Sequence, residues 1–153
     1  MSTIDRPDPV ILGHILAQHS ELHCQIVAAR NALSPEAAPD AAGIAAAREA
    51  LAVLRGHLAD HFSQEERGGF LEESIARMPR LSRAVQAVID EHPRLLAALD
   101  RLCDLLAGPV VAAADWRRAG QEFDAFAALL LAHERHENAV VQEGYNEDLG
   151  LVD

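Results

Sequence analysis

The chain has 153 residues, half of them hydrophobic but only 4% aromatic, which is one domain (1–153) with enough apolar mass to bury a core. Thirteen basic against twenty-four acidic residues leave a net charge of −11, which repels nucleic acid and anionic membrane surfaces, so neither is an expected partner. Cys24 and Cys103 form no CxxC pair and no disulfide framework, the usage expected of a reduced, cytoplasmic setting. The N-terminal MSTIDRPDPV lacks a basic-then-apolar leader pattern, and tracts such as AFAALLLA fall short of the ~20 residues a membrane span needs.

Alanine and leucine dominate and β-branched runs are few, which favours helices. A first helix is expected over about 9–33, stopping before the Ser34-Pro35 and Pro39-Asp40 turn signals, with Asp40 a candidate N-cap for the next. The second runs over about 41–67 to Gly68-Gly69. A less regular piece, FLEESIARMP, leads to a third helix over about 80–107, which Gly108-Pro109 stops. The fourth spans about 113–144 and leaves a C-terminal tail, 145–153.

Each helix carries an apolar seam at spacings of three and four, as in a bundle. On the first it reads Leu12, Ile15, His19, Leu22, Ile26, and on the second Ile44, Ala47, Leu51, Leu54, Leu58, His61, Glu65. The third gives Val85, Val88, His92, Leu95, Leu99, Leu102, Leu106; the fourth gives Trp116, Phe123, Phe126, Leu130, His133, Glu137, Val140. Metal-ligand residue types interrupt all four seams. They also recur: His19 to His61 is 42 residues, His92 to His133 is 41, and each second histidine is followed four residues later by a glutamate. The chain is two copies of one plan, His on one helix and His-x-x-x-Glu on the next.

A lone histidine on an apolar face is more often a hydrogen-bonded core residue than a ligand. Six polar groups in register are different, because each unpartnered buried group costs about 1–3 kcal/mol against a net stability of about 5–15 kcal/mol. They must satisfy one another or a cation. Placed on antiparallel neighbours at 1.5 Å per residue, His19 and His61 come within roughly two turns of one height, and the other pair behaves alike. Imidazole with carboxylate and no thiolate suits Fe, Zn or Mn. Four histidines divisible two and two, with two glutamates able to bridge, point to a dinuclear centre with an open coordination position for a small ligand.

The order His19, HFSQE (His61 to Glu65), EHPRLL (His92) and HERHE (His133 to Glu137) resembles the hemerythrin-like, His-His-Glu cation-binding domains. The turn EERGGFL and the tail VVQEGYNEDLG are weaker parts of the same likeness, which spans nearly the whole chain. The resemblance implies an all-α, antiparallel up-down four-helix bundle. It implies two iron ions, oxo- or hydroxo-bridged, with His19, His61, His92 and His133 as terminal ligands and Glu65 and Glu137 as bridges. It further implies binding of O2 or a related ligand such as NO or peroxide, for sensing, scavenging or iron handling.

The chain departs from the oxygen-carrying members at two places. Position 96 is Leu96 where they carry a further histidine, and Glu137 follows His133 by four residues rather than five. The asymmetric five-histidine site is therefore not carried over. His23 and His57, each one turn from an expected ligand, are candidates for a fifth nitrogen or for outer hydrogen bonding. His14 and His136 lie off the seams and are expected in solvent, as are Glu66 and Glu134, with Glu66 close enough to accept a bond from a ligand. Leu22, Leu58, Phe62, Leu95 and Leu130 are the expected apolar lining. A di-iron oxidase or peroxidase at the same site, or a zinc-loaded structural bundle, are the alternatives. Ferritin-like Glu-x-x-His pairs and a His-Glu-x-x-His protease motif are both absent from the sequence.

Overall fold

The computed structural model describes residues 9–34, 40–67, 75–76 and 79–150, with side chains from His19 to Glu143 within those ranges. Most of the described residues are helical, with no strand among them. Four long helices account for nearly all of them: α1 (Pro9–Ala32), α2 (Ala41–Arg67), α3 (Ser82–Leu105) and α4 (Ala113–Gly150), with a 3-10 turn at Pro79–Leu81 leading into α3. The main packing is of α1 on α2, α2 on α3 and α3 on α4, with a lighter contact of α4 on α1. Among the described residues no helix is long and apolar enough to cross a membrane.

Local chemistry sets the boundaries. Asp40 begins α2 as a cap: its carbonyl accepts the first helical bond from Ile44 N at 3.0 Å, while its Oδ1 accepts from Gly43 N at 2.6 Å, satisfying a donor the first turn would leave open. Gly43 suits this cap, since a Cβ there would stand 3.0 Å from the same Oδ1. Helix α3 ends by tightening, with Leu106 N donating to Cys103 O and Ala107 N to Asp104 O. The Arg48 guanidinium, from early α2, then donates to Leu106 O and Gly108 O. Trp116 Nε1 donates to Ser34 O at 3.3 Å, tying the start of α4 to the end of α1.

Helix α4 corrects the expected tail. It continues through Gly144 to Gly150, so 145–150 are helical rather than tail. A single glycine inside a helix costs only about 1 kcal/mol, and no proline follows it to force a stop.

The seams fill the core. A large apolar cluster includes Leu22, Leu51, Leu54, Leu58, Phe62, Leu95, Leu99, Leu102, Phe123, Phe126 and Leu130. A smaller one comprises Leu81, Val85, Val88, Val140 and Val141. Along α3, His92 separates the two clusters; along α4, His133 and Glu137 do so. A polar layer thus lies within the core, with apolar packing on either side to keep water out. Side chains of Leu12, Ile15 and His14 lie outside the described set.

Candidate metal centre

All six expected ligands are buried: His19, His61, Glu65, His92, His133 and Glu137. They converge. His19, His61, Glu65 and Glu137 each bring one donor atom to within 4.8 Å of the others, and Glu65, His92 and His133 form a second such group.

The carboxylates lie between the histidine pairs. Glu65 Oε1 lies directly against His61 Nε2, and its Oε2 faces His92 Nε2 at 3.4 Å. Glu137 Oε1 faces His19 Nε2 at 3.7 Å, and its Oε2 faces His133 Nε2 at 3.4 Å. Each glutamate therefore presents one oxygen to each half of the layer. The two histidine pairs match closely: His19 and His61 have ring centroids 5.1 Å apart at 72°, His92 and His133 5.0 Å apart at 71°. This is the twofold plan of the sequence expressed in space.

Several of the inward atoms are not satisfied by the protein. Nε2 of His19, His92 and His133, and both oxygens of Glu65 and of Glu137, have no hydrogen-bond partner. Separations of 3.4–3.7 Å leave only loose ion-pair attraction. Leaving that many buried donors and acceptors open would exhaust a domain's stability unless a cation completes them. The donor set, imidazole nitrogen and carboxylate oxygen, fits a divalent metal, and these buried groups can hold one.

Charge balance in the layer follows from the same contacts. Burial works hardest against a charged His19, yet the Glu137 carboxylate, with Glu134 and Glu65 behind it, outweighs burial and raises the imidazole's pKa. His133 is raised in the same way, by Glu137 and Glu91 against burial. Burial pushes Glu137 up, but His133 and His19 hold its carboxyl far below the usual carboxylate range.

Outside the layer, carboxylates fix two of the histidines. His133 Nδ1 donates to Glu91 Oε2 at 2.7 Å, and His92 Nδ1 to Glu66 Oε1 at 3.2 Å. An Nδ1 proton held in this way leaves the Nε2 lone pair free to point inward, and the carboxylate makes that nitrogen more basic. Glu91 also accepts from His136 Nδ1 at 2.9 Å through Oε1. Its carboxyl lies below the usual range because these two bonds, from His136 and His133, overcome the opposing effect of burial. Phe62 closes the middle, stacked on His92 with centroids 3.9 Å apart at 6° and edge-on to His133 at 5.3 Å. The expected lining residues Leu22, Leu58, Leu95 and Leu130 are buried with it.

Several flanking residues depart from expectation. Glu134, expected in solvent, is buried, and its Oε2 accepts from His23 Nε2 at 2.7 Å. His136 is half-buried on Glu91 rather than free in solvent. Glu66 does accept from His92, as its position allowed. His23 is engaged by Glu134, and His57 is exposed beside Gln25 and Glu21, so neither stands among the converging donors. Glu91 was not foreseen. The signal was available: Glu66, Glu91 and Glu134 sit next to Glu65, His92 and His133 on the seams, and a 100° step puts a neighbour on the flank that meets the next helix.

No known protein-family model matches the chain, and no curated protein or solved structure does so either. The fold and site themselves define the class: an all-helical protein whose core contains buried His and Glu groups able to hold a metal ion.

Proposed function

We propose that this chain is a hemerythrin-like, antiparallel up-down four-helix bundle that holds two iron ions and binds O2 or a related small ligand such as NO or peroxide. The up-down arrangement is supported by bonds that tie the end of α1 to the start of α4, and the start of α2 to the end of α3. In this reading His19 and His61 would hold one ion and His92 and His133 the other, with Glu65 and Glu137 supplying carboxylate oxygens between them. The observation that carries it is the buried layer in which Nε2 of His19, His92 and His133 and the oxygens of Glu137 turn toward one another without hydrogen-bond partners.

Two redox-active ions so placed would supply electrons to a small oxidant. The chain's own residues do the rest. Glu66 and Glu91 hold the outer protons of His92 and His133, so each imidazole presents a lone pair inward. Leu22, Leu58, Phe62, Leu95 and Leu130 exclude water from the layer, which favours binding of a small apolar gas over loss of electrons to solvent.

Metal analysis with an optical spectrum of the aerobically purified protein is the first test, with two irons per chain expected. Zinc alone, with no ligand uptake, would point instead to a structural bundle. Stopped-flow mixing of the reduced protein with O2 or NO then separates binding from catalysis. A long-lived, stoichiometric spectral change is expected; repeated consumption of the small molecule in the presence of a reductant would mark an enzyme.

A further inference from the structure

A cleft of about 710 Å3 between α1 and α4 reaches the metal layer from outside, with His19, His23, Glu134, Arg135 and Asn138 among its walls. Its chemistry differs from that of the layer. Glu134 is only 5% exposed. One of its oxygens, Oε2, is held by His23 Nε2 at 2.7 Å; the other, Oε1, is buried with no hydrogen-bond partner. A carboxylate oxygen kept from water and given no donor is a poor choice for packing, and an apolar side chain would serve better. It is a good choice for a transient cation. His23, whose side chain is 54% exposed, reaches solvent from the same pair, while His19 forms the inner wall, its Nε2 turned toward Glu137.

Resting on the metal-binding reading above, we propose that Glu134 is a loading site, where a divalent cation leaves water and passes inward to the position served by His19 and His61. His23 is the positioning residue: by engaging Oε2 it keeps Oε1 available to the ion. Asn138 lies one helical turn beyond Glu134 in the same wall and carries a second oxygen donor. The ion exchanges water for protein oxygen in stages rather than shedding its whole hydration shell at the buried layer. Arg135 lines the same cleft, and its charge opposes the ion's arrival.

The test is the rate at which the metal-free full chain takes up Co(II), followed by absorbance in a stopped-flow instrument, together with the final metal content. Glu134→Gln keeps the shape and removes the charge, and should slow uptake about ten-fold, the lower range of electrostatic focusing in a cleft. His23→Ala, at a half-exposed position that tolerates truncation, should slow it less. Arg135→Gln should hasten it. All three should still reach two ions per chain. Wild-type uptake rates in Glu134→Gln, or slower uptake in Arg135→Gln, overturn the loading site alone. A Glu134→Gln chain that loads at the normal rate but holds fewer ions also overturns it, by placing Glu134 in the centre itself. A wild-type chain that takes up no metal overturns the metal-binding reading and this inference together.

Discussion

The two halves of the polar layer are alike inside and unlike outside. Inside, the pairs His19–His61 and His92–His133 repeat the same ring separation and angle to within 0.1 Å and 1°. Outside, His92 and His133 are backed by Glu66 and Glu91 and covered by Phe62. The His19 side meets the cleft that contains His23 and Glu134, and His133 borders a second cleft with Glu91 and His136. The repeated His and His-x-x-x-Glu plan governs what the six inward side chains present to each other, whereas the outer partners of each half come from neighbouring helices.

The largest expected effect breaks both halves at once. Glu65 faces both His61 and His92, so Glu65→Ala should abolish the paired-metal spectrum and lower metal content below two ions per chain. Retention of both ions with an unchanged spectrum would show that the halves are independent.

Next in size is the change that should separate them. Glu91→Ala removes the acceptor from His133 Nδ1 and should weaken metal affinity about 10- to 100-fold. Because the His19 half has no contact with Glu91, a chelator titration should become biphasic, one ion leaving well before the other. A single shifted transition would mean that the carboxylate bridges couple the ions more tightly than the outer bonds distinguish them.

Phe62→Leu sharpens the comparison further. It removes a stacked aromatic contact of about 0.5–1.5 kcal/mol from His92 and only a more distant, tilted one from His61. A modest fall in denaturation midpoint is expected, with the larger spectral change at the ion served by His92, since Phe62 meets His61 only at 6.0 Å.

The smallest effect serves as a control remote from both halves. Arg55 Nε donates to Asp100 Oδ1 at 2.7 Å between two exposed side chains, and Asp100→Ala should cost less than about 1 kcal/mol after solvent screening. The hydrogen bond from Arg55 holds the Asp100 carboxyl below its usual range. Its small contribution is therefore present above the ordinary carboxylate pKa and fades as pH falls through the depressed folded value. Denaturant midpoints of the wild type and variant at neutral and acid pH check this, and they should converge at acid pH. A change in metal content would contradict the control.

Much of this architecture could be read from the chain alone. The spacing of three and four residues assigned the inward face of every helix; His61, Glu65, His92, His133 and Glu137 all proved buried there. Asp40 was legible as a cap because a side-chain acceptor before an alanine-rich helix has a local use. Glu134 was misread for the same reason that seams are easy to read. Periodicity marks the centre of a face, whereas a residue one step off it is buried or exposed according to what the next helix supplies. Here that was His23, 111 positions away.

By itself, then, the sequence determined a helical chain of this ligand composition, with six polar groups turned to the inside of four rods. Those are properties of local periodicity and residue chemistry. Only the tertiary structure decided that the six meet at one height, that Glu65 and Glu137 each face both histidine pairs, and that Glu91 serves His133 across two helices. Such facts depend on the relative height and rotation of separate helices, which loops and interlocking side chains settle together and no single helix encodes.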